Sequence, residues 1–304
     1  APRPGGRRLI VTSWRMSRGT PESSNDRLFC LEQVLRARPA FRVTQVFAPT
    51  PLKERLLPLH ALLALVELTG SRYSEEELAR SKLGWWRLEL LGRGAAKSAH
   101  PVLRELARSG AAERLPGDAI TALLDGAEQR LQAAPPVDLD ALMTACREIQ
   151  APQRALEEAV SDLSSETPHG LVNADAQVGL LQLLRESTRR PQQEAFWWLP
   201  LQLLAKHGVS RTEVAASRGT GSAANLLLEI RAKAARAGKA SPGRRAGSAQ
   251  RPAALRHLAV TCVLSRRQLG RMTVQAPAEW PGQLSAMGLR DLVAAWNIAR
   301  RYSA

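Results

Sequence analysis

The sequence predicts an all-α protein, and its composition and apolar spacing support this. Apolar residues make up 44% of the 304-residue chain, and Leu and Ala, both strong helix formers, dominate them. Aromatic residues make up only 4%, and the β-branched residues that favour strands are scarce. Apolar positions recur every third or fourth residue between Gly, Pro and capping residues, which is typical of amphipathic helices. We therefore expect about ten helices and no strand.

The first helices are delimited by changes in composition. Residues 1–24 carry Pro, Gly and Arg without apolar periodicity, so we expect a basic extended arm. Asp26 is a candidate cap for the first helix, which Pro39 ends, and a connecting stretch should follow. Leu52–Thr69 is apolar on more than one face and should be a central helix. Gly70 is expected to end that helix.

Capping and breaking signals mark the middle of the chain. Ser74 and Glu77 have the spacing of a capping box for a helix that stops near Gly92. Further helix starts are predicted at Pro101, Asp118 and Asp138. A polar break at 164–170 then precedes a predicted helix over Leu171–Arg185.

The C-terminal part is divided by a loop. His207-Gly208 is a predicted helix stop, and Ser210 with Glu213 forms a second capping box. Leu226–Ala237 should be helical, and residues 238–252, rich in Gly, Ser, Pro and Arg, should form a flexible basic loop. Two further helices finish the chain, the last over Leu289–Tyr302. We therefore expect one helical domain over residues 25–304.

Positive charge is concentrated in one region. The formal net charge is +15 with a pI near 11.0, and no acidic residue occurs between Arg231 and Gln275. The candidate anion-binding residues there are Arg231, Lys233, Arg236, Lys239, Arg244, Arg245, Arg251, Arg266, Arg267 and Arg271. Such a cluster favours an anionic partner, which could be membrane phosphate, RNA or an acidic protein. A merely solvated basic surface is the other interpretation.

The cysteines and histidines indicate no metal or disulfide framework. The chain has three cysteines, far apart, with no CxxC pattern and no Cys/His ligand spacing. No cofactor and no bound metal are therefore expected. No apolar stretch reaches the ~18 residues of a spanning helix, so no transmembrane segment is expected.

The N-terminal arm carries five arginines before its first acidic residue, Glu22. A basic leader without acids is typical of a mitochondrial transit peptide or of the remnant left after cleavage. A disordered basic tail is the alternative interpretation.

Several motifs, in order, resemble those of the squalene/phytoene synthase family. They are Lys82–Leu90 (KLGWWRLEL), His100–Leu103 (HPVL), Trp198–Pro200 (WLP) and His207–Ser210 (HGVS). The resemblance covers roughly residues 27 to 302 and implies a single large helical bundle of the isoprenoid synthase type. It is greatest to the branch that contains the mitochondrial complex I assembly factor, through the HGVS segment, Trp296 and Arg300-Arg301-Tyr302.

The resemblance implies where a catalytic site would lie. Family enzymes join two prenyl diphosphates head to head, and two Asp-rich helices hold the Mg²⁺ ions that neutralise the leaving group. The first such segment here, Val66–Ser71, contains a single carboxylate. The second, Leu181–Arg190, keeps an Arg-Glu pair and then has Ser, Thr and two arginines. The remnants of the site are Glu67, Arg185, Glu186, Arg189 and Arg190. Mg²⁺ needs several carboxylate oxygens, so we predict a pseudoenzyme.

The functional hypothesis is a non-catalytic assembly factor or accessory structural subunit of a mitochondrial respiratory complex such as complex I. It would bind subunits of that complex as a peripheral protein on the matrix side of the inner membrane, with a cardiolipin-like anionic lipid at its surface. One alternative is a mitochondrial ribosomal or ribosome-assembly protein that binds rRNA through phosphate contacts. Another is a prenyl-diphosphate-binding transferase.

Overall fold

A computed structural model of the chain describes residues 21–72, 76–93, 95–163, 174–189, 196–217, 219–237, 253–272, 277–280 and 287–301. Throughout these ranges the regular structure is helical, and they contain no β-strand. The predicted all-α class is confirmed. The expected basic arm at 1–20, the Ser74 cap and the basic loop at 238–252 lie outside the described residues.

Thirteen α-helices lie within the described ranges and are numbered here in chain order. The first seven are α1 (Pro21–Ala37), α2 (Phe41–Thr44), α3 (Thr50–Arg72), α4 (Glu76–Arg87), α5 (Pro101–Arg108), α6 (Gly117–Gln129) and α7 (Leu139–Val160). The remaining six are α8 (Asp175–Ser187), α9 (Leu201–His207), α10 (Arg211–Ala216), α11 (Gly221–Ala237), α12 (Arg256–Met272) and α13 (Leu289–Ala299). A π-helical turn, Leu88–Arg93, extends α4.

Several predicted caps are observed at the expected residues. The Asp138 carboxylate accepts a hydrogen bond from the backbone N–H of Ala141 at 2.8 Å and begins α7. Ser210 and Glu213 form the predicted capping box of α10. Gly208 ends α9 in the left-handed region at φ 61°, where glycine carries no Cβ penalty. These predictions hold because capping depends on residues adjacent in the sequence.

Two predicted boundaries are wrong. Gly70 does not end the central helix, because α3 continues to Arg72. A glycine costs a helix only about 1 kcal/mol, which the packing of a buried helix outweighs. Asp26 does not begin the first helix, since α1 starts at Pro21 and includes the last residues of the predicted arm. The Asp26 carboxylate instead accepts a hydrogen bond from Arg104 on α5 at 2.8 Å.

Smaller differences occur elsewhere. The stretch expected to be a connection before α3 contains α2 and a 3₁₀ turn, Gln45–Phe47. Helix α8 starts at Asp175, four residues after the predicted Leu171, whereas α11 starts earlier than predicted, at Gly221. Helix α13 ends at Ala299. Among the described residues, no helix is long and apolar enough to cross a membrane.

The hydrophobic core has two large parts that meet along α7. The first is formed by α1, α3, α5 and α6 and includes Leu156 and Val160 from the end of α7. The second is formed by α8 to α11 and includes Leu142 and Cys146 from the start of α7. Gly179 of α8 lies so close to α7 that a Cβ there would be 2.2 Å from the Cys146 carbonyl oxygen. This close contact places the polar residues of α7 and α8 side by side.

Candidate functional site

A buried polar network occupies the space between α3, α7 and α8. Its centre is Glu67, which α3 holds in the interior with 4% of its surface exposed. One carboxylate oxygen, Oε2, accepts hydrogen bonds from Nε and Nη2 of Arg38, at 3.3 and 3.2 Å. The other, Oε1, accepts from Nη1 of Arg189 at 3.4 Å. Both oxygens of the predicted remnant are therefore bound by guanidinium groups of this chain.

Glutamine side chains extend the network from Arg38 into α8. Arg38 Nη2 donates to Gln153 Oε1 at 2.6 Å, and Gln153 Nε2 donates to Gln182 Oε1 at 2.9 Å. Gln150 donates to the same oxygen at 2.8 Å. Gln182 Nε2 donates in turn to Glu186 Oε1 at 3.3 Å. The network thus joins Glu67 to Glu186, the two carboxylates among the predicted remnants, through the Arg38 guanidinium and the amides of Gln153 and Gln182.

Arg185 of α8, another predicted remnant of the site, is buried. Its Nη2 donates to Gln268 Oε1 of α12 at 3.2 Å, and its Nε is buried with no hydrogen-bond partner among the described residues. Burial lowers the pKa of this guanidinium to about 10, against the opposing attraction of Glu67. Arg189 also donates to the carbonyl oxygen of Ala37 at 3.1 Å. Arg190 lies outside the described residues.

A carboxyl group between two imidazoles lies next to this network. Glu157 of α7 is 3.5 Å from His60 Nε2 and 3.8 Å from His257 Nε2. Arg38 Nη1 approaches His60 Nδ1 at 3.2 Å, so Nδ1 must accept and Nε2 carries the proton towards Glu157. His257 Nδ1 is 2.9 Å from the Ala254 carbonyl oxygen, so it donates there and leaves a lone pair on Nε2.

The protonation states of these three groups follow from burial. Burial raises the pKa of Glu157 to about 7, and Arg38 opposes that shift. Burial also lowers the pKa of His257 to about 4 and that of His60 well below 6.5, the latter aided by Arg38. A protonated Glu157 therefore faces two neutral imidazoles at distances longer than a normal hydrogen bond, and His257 Nε2 has no hydrogen-bond partner among the described residues. The arrangement links α3, α7 and α12 through neutral groups.

The donor set does not fit the Mg²⁺ ions of a prenyl diphosphate synthase. Within the described ranges, no group of three or more His, Cys, Asp or Glu residues could hold a metal ion. Mg²⁺ is a hard cation that is held by carboxylate oxygens, and both oxygens of Glu67 are occupied by arginine. The positive charges of Arg38, Arg185 and Arg189 around that carboxylate would repel a divalent cation.

The basic residues of 231–271 have several partners within the chain. Arg267 and Arg271 of α12 donate to the Asp291 carboxylate of α13, at 2.6 and 2.8 Å. Lys233 pairs with Asp140 at 2.5 Å, and Arg231 donates to the carbonyl oxygen of Gly270 at 3.1 Å.

Two further members of the basic set, Arg236 and Arg266, are exposed, and Arg266 donates to Gln177 at 3.3 Å. The others, Lys239, Arg244, Arg245 and Arg251, lie outside the described residues. Anion binding by this set stays a prediction.

The tryptophan motif of the sequence serves packing. Trp86 is buried against Trp85 and His100, with ring centroids 4.8 and 5.0 Å from its own. His100 Nδ1 accepts from the backbone N–H of Val102 at 3.3 Å and so begins α5. Burial and Lys82 lower the pKa of His100 to about 4, which keeps that nitrogen an acceptor. The motif therefore fixes α4 against the start of α5.

Comparison with known proteins identifies the family. The model of the squalene/phytoene synthase family matches residues 35–286, so this chain belongs to that family. A dehydrosqualene synthase, solved in complex with a ligand, is similar with a TM-score of 0.62 at 14% identity, over 92% of this chain and 97% of that one. Squalene synthase HpnC from Alicyclobacillus acidocaldarius has a TM-score of 0.60 at 17% identity, over 84% and 95%.

These structural similarities confirm the predicted helical bundle of the isoprenoid synthase type. A search of curated proteins gave no match.

The sequence motifs indicate Glu67, Arg185, Glu186 and Arg189 as site residues but give no sign of most of their partners. Arg38 and Gln153 are separated by 115 positions, and uncharged glutamines inside an amphipathic helix follow no recognisable pattern. One available signal was Gln150 and Gln153 on a helix side whose other members, Cys146 and Ile149, are apolar. A polar residue on such a side needs a buried partner.

Proposed function

We propose that this chain is a non-catalytic member of the squalene/phytoene synthase family that acts by binding other proteins, as an assembly factor or accessory subunit of a respiratory complex. The observation that supports the loss of catalysis is the pairing of Glu67 with Arg38 and Arg189. A metal-dependent synthase needs carboxylates that are available to Mg²⁺, whereas both oxygens of this carboxylate already accept hydrogen bonds from guanidinium groups.

An activity measurement tests the loss of catalysis. The purified chain is incubated with a prenyl diphosphate and Mg²⁺, and inorganic diphosphate release is followed beside a functional dehydrosqualene synthase. We expect no release above that of buffer. Mg²⁺-dependent release that Glu67→Ala abolishes would show that the chain is a working transferase.

Two sequence features support the partner role and a mitochondrial location: the motif resemblance and the five arginines that precede Glu22. Native co-fractionation of the tagged chain from detergent-solubilised mitochondria, followed by mass spectrometry, tests it. Co-migration with respiratory subunits supports the proposal. Co-migration with ribosomal proteins and rRNA, lost steeply as salt is raised, favours the ribosomal alternative instead. Absence of the chain from mitochondria contradicts both.

A second candidate, metal-free binding of a diphosphate, is favoured by Arg185. Within the part of the chain that the structure describes, its buried Nε has no partner, and an unpaired buried donor is costly unless an acceptor reaches it. Calorimetric titration with inorganic pyrophosphate in the absence of Mg²⁺ tests this candidate. Binding that is lost in Arg185→Gln and kept in the exposed control Arg266→Gln supports it. Absence of heat change contradicts it.

A further inference from the structure

The outward side of the last helix, α13, is apolar. Four large side chains there are largely exposed: Leu289 (76%), Leu292 (45%), Val293 (50%) and Trp296 (59%). With 3.6 residues per turn, these positions fall on one side of the helix and form a continuous stripe. The opposite side is already used, because Ala295 and Ala299 are buried against Val260 and Leu264 of α12. The stripe is therefore a second apolar side that the helix does not need for its own packing.

The charged residues of α13 and its end also differ between the buried and the exposed side. Its only acidic residue, Asp291, is 1% exposed and accepts hydrogen bonds from Arg267 and Arg271 on the inner side. Three arginines of the same segment are exposed: Arg290, Arg300 and Arg301. The outer surface of residues 287–301 thus combines an apolar stripe with positive charge and carries no exposed acid.

We propose that α13 is a docking helix for an anionic lipid surface. Short amphipathic helices that bind in the plane of a membrane bury an apolar side with Trp and Leu at the acyl boundary and place Arg or Lys among the phosphates. Trp296 suits that boundary, because tryptophan combines a large apolar ring with an N–H that can reach water or headgroups. The helix, with its 11 residues, is much shorter than the ~20 residues that span a bilayer, so it lies on the surface.

The charges favour lipid over a second copy of the chain. In a symmetric contact between two copies of α13, each apolar stripe would cover the other. Such a contact would also bring the Arg290, Arg300 and Arg301 side chains of the two copies near one another without an acid between them. An anionic membrane supplies both the apolar layer and the counter-charge. The inference holds whether or not the chain is catalytic.

Vesicle flotation of the full-length chain tests the proposal. Vesicles of phosphatidylcholine alone are compared with vesicles that also contain phosphatidylglycerol. We expect flotation with the second kind only. The double variant Leu292→Ser/Trp296→Ser should lower the partition coefficient by at least about tenfold, since two large apolar side chains are removed from the contact. The control Leu78→Ser removes a side chain that is 51% exposed on α4 and should leave binding unchanged.

Two further measurements keep the result interpretable. Thermal unfolding should be nearly the same in the double variant, because the replaced side chains are exposed. A second variant, Arg300→Gln/Arg301→Gln, should bind anionic vesicles more weakly and with less dependence on salt.

Flotation that the double variant leaves intact would overturn the proposal and assign lipid binding to other basic segments. A dimer in solution that the double variant dissociates would also overturn it and assign the stripe to a second copy. The proposal would also be overturned if the wild type did not float with anionic vesicles.

Discussion

Glu67 is a buried carboxylate that two partly buried arginines share. Its side chain contacts Arg38 at 3.2 Å and Arg189 at 3.4 Å, and it is almost fully excluded from solvent. Replacing a buried pair by apolar residues can be neutral, but removing one partner leaves the other charge unpaired. Glu67 thus offsets part of the positive charge of the surrounding arginines, which makes this position sensitive to substitution whatever its chemical role.

Glu67→Gln should lower the free energy of unfolding by about 3–5 kcal/mol, because both guanidinium groups lose their counter-charge. Urea unfolding of the variant and of the wild type measures this difference. The matched control is Glu76→Gln, which breaks a partly exposed i,i+4 pair with Arg80 and should cost no more than about 0.5 kcal/mol. A loss at Glu67 as small as that of the control would mean that the network does not stabilise the fold.

Glu157 makes the stability depend on pH in a direction opposite to that of an ordinary salt bridge. Burial raises its pKa from 4.5 to about 7. The unfolded chain therefore ionises first, and the folded state loses stability as pH rises from about 4.5 to about 7. His60 and His257, whose pKa values are lowered, contribute in the opposite direction and lose stability as pH falls below 6.5. The contribution of Glu157 is therefore best measured as the difference in free energy of unfolding between the wild type and a variant without this carboxyl group.

Glu157→Gln places a neutral amide of nearly the same size between His60 and His257 and removes the group that ionises. We expect the variant to gain stability over the wild type as pH rises from about 4.5 to about 7 and to keep a constant advantage of up to about 3 kcal/mol above that. Denaturant unfolding at a series of pH values measures the difference. A difference that stays flat with pH would show that Glu157 is ionised throughout this range in the folded protein.

The contact between α7 and α8 requires a glycine. An ideal Cβ at Gly179 would lie 2.2 Å from the carbonyl oxygen of Cys146 and 2.8 Å from its carbon, and both are backbone atoms that cannot move alone. The close approach brings Gln150 and Gln153 of α7 within hydrogen-bond distance of Gln182 on α8. The glutamine hydrogen bonds of the polar network therefore form only if α7 and α8 lie this close together.

Gly179→Ala should destabilise the protein by about 1–3 kcal/mol or more, because the two helices must separate. Gly84→Ala is the matched control, since a Cβ at Gly84 of α4 meets nothing within 4 Å and should stabilise the helix by about 0.5–1 kcal/mol. Thermal unfolding of both variants shows the signs directly. Equal effects at the two glycines would contradict the close packing of α7 on α8.

The helices differ in how far the sequence predicts them. Asp138 caps the start of α7, and Ser210 with Glu213 caps the start of α10. The hydrogen bonds of these caps lie within the first turn of each helix. The prediction for Gly70 is wrong because α3 is buried by residues distant in the chain. The prediction for Asp26 is wrong because this residue pairs with the distant Arg104. Local signals were thus reliable only where no tertiary contact competes with them.

The candidate site is less predictable than the fold. The family resemblance located Glu67, Arg185 and Glu186, and the structure brings all three into the buried interior. The family resemblance could not indicate that arginines bind both oxygens of Glu67. Arg38 and Arg189 lie 29 and 122 positions away from it in the sequence. Which partner a buried carboxylate takes depends on the packing of α1, α3 and α8 together.

The stability of the whole molecule should not depend on Mg²⁺ if arginine side chains occupy both oxygens of Glu67. A ligand that binds the native state raises stability by RT ln(1 + [L]/Kd), about 1.4 kcal/mol at ten times Kd, which moves the Tm of a domain of this size by roughly 2–4 °C. We expect no change in Tm between Mg²⁺ and NaCl at equal ionic strength, with or without inorganic diphosphate. A rise specific to Mg²⁺ that disappears in Glu67→Gln would mean that the metal displaces Arg38 and Arg189, and it would restore the transferase hypothesis.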